Sequence, residues 1–121
     1  MEDNGVMDGI ISLAETVLKG LEFLQSRLES GHARDSIYLL EDVQAAVVSI
    51  GNALEKGLPG VEVDLSGLEP APLEDELDRM WQLYKQDNVN EAQLEMKARL
   101  LPEARRWKRE LENCFEPLRL A

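Results

Sequence analysis

The chain has little of what secreted proteins and most enzymes rely on. Of its 121 residues one is a cysteine, Cys114, and one is a histidine, His32. A lone cysteine excludes an internal disulfide and fits a reducing compartment. With no second His or Cys to join them, the usual transition-metal ligand sets cannot be completed. His32 therefore reads as an exposed turn residue near a helix start. Aromatic residues are only 5% of the chain, and the β-branched and aromatic runs typical of strands are missing. No apolar run approaches the ~20 residues of a membrane span. The N-terminus, MEDNGVMDG, is acidic and lacks the basic region of a signal peptide. The expected localisation is cytoplasmic.

Positive charge is also scarce. There are 13 Lys and Arg against 24 Asp and Glu, a net charge of −11. Residues 1–79 hold 5 basic against 17 acidic residues, and residues 80–121 hold 8 against 7. Overall acidity argues against nucleic acid, because phosphate neutralisation needs a basic footprint. It argues equally against an anionic membrane surface. A basic partner protein or peptide is easier to accommodate.

Assembled chemistry is absent from the pattern. No Gly-rich phosphate loop and no nucleophile–base arrangement is visible. A di-iron bundle would need Glu-x-x-His motifs on facing helices, and there are none. The acidic run Glu69–Asp78 lacks the spacing and the glycine of an EF-hand loop, and reads as a solvated helix N-terminus. The expectation is a non-enzymatic protein with no cofactor and no metal.

What the chain does have is helical periodicity. Ile10, Ala14, Val17, Leu21, Leu24 and Leu28 recur at intervals of four and three, which places them on one stripe of a helix. Ile11, Leu13 and Leu18 widen that stripe into a bundle-facing surface. Ser30-Gly31 ends the helix, with Gly31 suited to a left-handed cap. A second seam, Ile37, Leu40, Val43, Val47, Ile50 and Leu54, runs from about Ala33 to Lys56 and stops at Gly57 and Pro59-Gly60. Residues 58–72 hold three of the five prolines and two glycines, so they read as a connection. Val61, Val63, Leu65 and Leu68 suggest that it packs across the bundle, with a short strand-like stretch at Val61–Leu65 as an option.

Pro72 suits a helix start, and the acidic residues after it suit the positive end of a helix dipole. The third seam is Leu73, Leu77, Met80 and Tyr84, with Trp81 beside it. Asn88 and Glu91 have capping-box-like spacing. The fourth runs through Leu94, Ala98 and Leu101, then Leu100, Ala104, Trp107, Leu111, Cys114 and Leu118. An internal echo relates the halves: Val17, Leu21, Leu24 and Leu28 align with Leu73, Leu77, Met80 and Tyr84 at an offset of 56. Shared heptad spacing and true duplication both explain it.

The fold predicted is all-α: an antiparallel four-helix bundle of two helical hairpins joined by a long Pro/Gly-containing loop. One domain covers 1–121, with hairpin one at about 7–57, the connection at 58–72 and hairpin two at about 73–118. Roughly two-thirds of the unfolded surface can be buried at this size. In LLPEARRWKREL (100–111), Pro102 removes one helical hydrogen bond and crowds the carbonyl of Ala98. A kinked continuous helix from about Asn90 to Glu112 is expected, with a break at 100–103 as the alternative.

Arg105, Arg106, Lys108 and Arg109 form the best surface candidate. They either bind an acidic partner, with Trp107 as anchor, or form a solvated face whose counter-charges come from the acidic first half. Trp107 lies on the seam and is expected in the core. Trp81, with Tyr84 and Met80, could line a groove, although core packing serves them as well. Phe23 lies off the main seam and is a candidate for exposure or a dimer contact.

LLEDVQAAVVSIGNAL (39–54) and LLPEARRWKREL resemble small, acidic, uncharacterised helical proteins of Gram-positive bacteria, a resemblance that implies no activity. More distantly, the two-hairpin layout is similar to flagellar export chaperones of the FliT or FlgN type, which implies a groove holding a partner's helix. QLYKQDNVNEAQLEMKARLLP (82–102) resembles one tetratricopeptide repeat, departing from it at Met80, where a small residue is expected. The function expected is that of a helical interaction module, adaptor or chaperone-like, binding a partner protein. The alternatives are a structural homodimer or accessory protein and, third, a ligand- or metal-binding bundle.

Overall fold

The computed structural model describes residues 2–57 and 65–120. Every regular element among them is helical and none is a strand, so the protein is all-α. Val61, Val63 and most of the stretch expected to be strand-like lie outside the described residues.

Helix α1 spans Glu2–Glu29 and buries the stripe read from the sequence, with Met7 added at its start. It closes in a Schellman motif. His32 N–H donates to the carbonyl of Arg27 at 2.8 Å, and Gly31 N–H to that of Leu28 at 3.4 Å. This closure needs a left-handed residue, and Gly31 supplies it with φ +82°. A 3₁₀ turn, Arg34–Ser36, leads into α2, Ile37–Lys56, which buries Leu40, Val43, Val47, Ile50 and Leu54. By length and composition the segment Arg34–Lys56 is apolar enough to cross a membrane. Glu41 and Asp42 interrupt the segment, and its buried stripe faces the rest of the molecule.

A second 3₁₀ turn, Ser66–Leu68, precedes α3, Ala71–Lys85. Leu65 and Leu68 pack onto the core. Pro72 sits in the first turn of α3, where no donor is required of it. The helix buries Leu73, Leu77, Met80 and Leu83. Its end repeats the closure of α1: Asn88 N–H reaches the carbonyl of Leu83 at 3.0 Å, and Asp87 N–H that of Tyr84 at 3.1 Å. Here the left-handed position belongs to an aspartate, Asp87, at φ +58°. Asn88 then caps α4, Val89–Glu95, its Oδ1 accepting from Glu91 N–H at 3.4 Å.

A π turn, Met96–Leu100, joins α4 to α5, Leu101–Leu120. The backbone is thus helical without a gap from Val89 to Leu120, across both Pro102 and Pro117. The alternative of a break at 100–103 is excluded, and the helix runs past the expected limit at Glu112. The departure from α geometry falls one turn before Pro102. Leu101 N–H bonds back to the carbonyl of Met96, five residues away. A wider turn there relieves the clash that the proline ring would make with the carbonyl of Ala98 in a regular helix.

That turn also corrects the fourth seam. Leu94 is 61% exposed, and Ala98 is exposed as well. The buried residues are instead Ala92 and Met96, then Leu100, Leu101, Ala104, Trp107, Leu111 and Phe115. Running the α rhythm backward from Leu101 lands on Ala98 and Leu94. The π turn adds one residue, so the seam passes from Leu101 to Met96, five residues back. At the far end Phe115 takes the fully buried position, while Cys114 and Leu118 are only partly buried. Burial pushes the Cys114 thiol pKa up.

α1 packs against both α2 and α5, and also touches α4; α3 packs on α2, α4 and α5. One apolar core runs through all of them, with Trp107 and Phe115 as its largest fully buried side chains.

Candidate functional site

The two Schellman turns meet at one end of the molecule. Between them is an open pocket of about 250 Å³. Its apolar wall comes from Leu28, Ala33 and Ile37 on one side and Leu83, Val89 and Ala92 on the other. Arg34, Tyr84, Lys85 and Asp87 supply the polar lining.

Two contacts hold the turns together across this space. Arg34 grips Asp87 with both arms of its guanidinium: Nε donates to Oδ1 at 3.1 Å, and Nη2 donates to Oδ2. Arg34 holds the Asp87 carboxyl below its ordinary pKa, and Asp87 raises that of the guanidinium. Both side chains are mainly in water, so the pair fixes geometry more than it stabilises. The second contact is buried. Ser36 is fully enclosed, and its Oγ donates to the carbonyl of Ala33 at 2.7 Å. That uses its only proton, so the Tyr84 hydroxyl, 3.2 Å away, is the donor to Ser36 Oγ. Burial pushes the Tyr84 phenol pKa up. Gln93 Nε2 also donates to the carbonyl of Leu28 at 2.9 Å, a second and shorter hydrogen bond to that group beside the one from Gly31 N–H.

The sequence-derived candidates sit elsewhere, and none of the six lines this pocket. The basic cluster is spread around α5, and three of its four members are engaged with carboxylates. Arg105 Nη2 lies 3.6 Å from Glu22 of α1, and Lys108 Nζ lies 3.9 Å from Glu15 of α1 and 3.2 Å from Glu112. Arg106 bonds Glu103 and Glu110, which hold its guanidinium pKa above the usual range. Arg109 is exposed, and no ion pair within 4.0 Å involves it among the described residues. Trp107 is 1% exposed and belongs to the core. Trp81 is partly buried, with Lys85 Nζ 5.9 Å from its ring centroid. Phe23 is 52% exposed, and the Arg27 guanidinium lies 5.6 Å from its ring.

Of the pocket residues only Tyr84 was singled out in the sequence as a groove candidate, yet a signal for the rest was there. The offset of 56 carries Leu28 onto Tyr84, Gly31 onto Asp87 and Ala33 onto Val89. Corresponding parts of two similar turns build the opposing walls.

What this arrangement offers chemically is an apolar cup beneath an ion-paired rim, suited to receiving an apolar group. Among the described residues no three His, Cys, Asp or Glu side chains converge on a common point. No family model, curated protein or solved structure matches the chain.

Proposed function

We propose that the chain is a non-enzymatic, cytoplasmic protein-interaction module, adaptor or chaperone-like. Its helices form an antiparallel bundle of two hairpins, bent at the π turn before Pro102. The partner inserts an apolar side chain from a basic segment into the pocket between the two turns. The observation that carries this reading is the cup itself: an open pocket walled by six apolar residues, of which Ala33, Ile37 and Val89 are partly exposed, under a rim of Arg34, Asp87 and Lys85. Interfaces draw most of their energy from such enclosed anchors. The net charge of −11 favours basic residues beside the anchor.

Selection of short displayed peptides against the purified protein tests it. Enriched peptides should carry an aromatic or large aliphatic residue flanked by Lys or Arg, and bind with Kd of about micromolar. Ala33→Trp, which plugs the cup, should weaken them at least about tenfold while circular dichroism stays unchanged. Absence of enrichment, or peptides indifferent to the plug, would defeat the proposal.

A second reading, a homodimer, draws on the exposure of Phe23. A light-scattering mass of 13.6 kDa at micromolar concentration would eliminate it.

A further inference from the structure

Away from the pocket, two carboxyls meet where α3 crosses the end of α4. Glu76 and Arg79 lie one turn apart on α3. Glu95 ends α4, and Arg99 follows one turn later in the π turn. α3 packs on both of those segments. The Glu95 side chain is only 7% exposed. Arg79 approaches one of its oxygens, with Nε 3.6 Å from Oε1, and its own side chain is more than half exposed. The other oxygen, Oε2, is buried and has no hydrogen-bond donor. A buried carboxylate oxygen without a donor is strongly unfavourable.

The Glu76 carboxyl comes within hydrogen-bonding reach of the Glu95 carboxyl. Two ionised carboxylates there can only repel, whereas one proton turns them into a donor and an acceptor. We infer that Glu76 and Glu95 form a proton-binding site, in which a single proton on Glu76 bonds to Glu95 Oε2 and fastens α3 to the end of α4. The surroundings favour that state. The Glu76 pKa is raised to about 7, first by the hydrogen bond with Glu95, then by burial and by the Glu95 charge. Arg99 from the π turn and Arg79 from α3 itself pull it the other way. Among the described residues, α1, α2 and α5 contribute no charged group that shifts it.

The sign of the pH effect follows. The folded state keeps a proton that an unfolded glutamate, with its ordinary value of 4.5, has already released. The contribution to stability is fully present below that ordinary value and is lost as pH rises through about 7. Above it the α3–α4 contact exchanges a hydrogen bond for like-charge repulsion. The π turn, which starts at the next residue, is the segment this releases.

Two measurements on the full chain test the site. A carbon-detected NMR titration should give Glu76 a midpoint near 7. Removing an opposing charge by Arg99→Gln should move that midpoint upward. Glu76→Gln supplies a permanent N–H donor in place of the proton. Between about pH 5 and about pH 8.5 the Tm of wild type should fall relative to this variant by roughly 4 °C. Protection factors of the amides at 92–100 should fall with it, while those of α1 hold. A Glu76 midpoint near 4.5, one that Arg99→Gln leaves in place, or a Tm difference constant with pH would each overturn the inference.

Discussion

The indole nitrogen of Trp107 donates a hydrogen bond to the carbonyl oxygen of Leu68, 2.8 Å away and sealed inside the core. It ties the middle of α5 to the 3₁₀ turn ahead of α3. A tryptophan this deep needs a partner for its N–H, and the carbonyl needs a donor. The residue that the sequence seam places in the core therefore also fastens the central connection.

Trp107→Phe should keep most of the packing and orphan that carbonyl, lowering stability by about 1–3 kcal/mol. Trp107→Ala adds a cavity and should lower it by about 3–5 kcal/mol. Urea unfolding checks both. Equal losses would mean that packing alone matters at this site.

The π turn can be removed by design. Deleting Ala98 brings Met96 and Leu101 from five residues apart to four, the spacing of a regular α-helix. Combined with Pro102→Ala, which restores a backbone donor, the deletion should leave every buried residue in phase. Thermal unfolding should then place the double variant within about 1 kcal/mol of wild type. Deleting Arg105 instead throws Trp107, Leu111 and Phe115 off the core face and should abolish cooperative unfolding.

Two helical glycines of α1 should respond with opposite sign. A Cβ at Gly9 meets nothing within 4 Å, so Gly9→Ala should stabilise by about 0.5–1 kcal/mol. A Cβ at Gly20 would lie 3.0 Å from Val43 Cγ2. Val43 is buried and β-branched, so it has little freedom to yield. Gly20→Ala should forfeit the propensity gain and lower the urea midpoint. A gain at both positions would show that α1 and α2 can shift apart without loss.

Much of this architecture is legible in the sequence because α1, α2 and α3 keep an unbroken rhythm. Every member of the first stripe, from Ile10 to Leu28, is buried, and the second stripe from Leu40 to Leu54 is equally so. The caps at Gly31 and Asn88 follow from local chemistry and stand where expected. The reading slipped most where the rhythm changes length, and by one residue at Tyr84 and Cys114, whose neighbours Leu83 and Phe115 take the buried positions. Nothing in Met96–Leu100 announces a five-residue turn, and extrapolating across it put Leu94 in the core and passed over Met96. Glu95 escaped notice for a related reason, since only the true register turns its charged side chain inward. The pocket was harder to see, because its walls come from two turns far apart in the chain that only the offset of 56 relates.

Gly31 and Asp87 hold equivalent places in those two turns, and the difference between them has a consequence for access. Glycine accepts the left-handed bend freely and reaches nothing else. Aspartate accepts it less readily, but its carboxylate extends to Arg34 and latches one lip of the pocket to the other. The latch stands in solvent, where dissolved ions weaken it, while the apolar stripes behind it are indifferent to them. Ionic strength therefore acts on the mouth of the cup more directly than on the apolar core that holds the helices together.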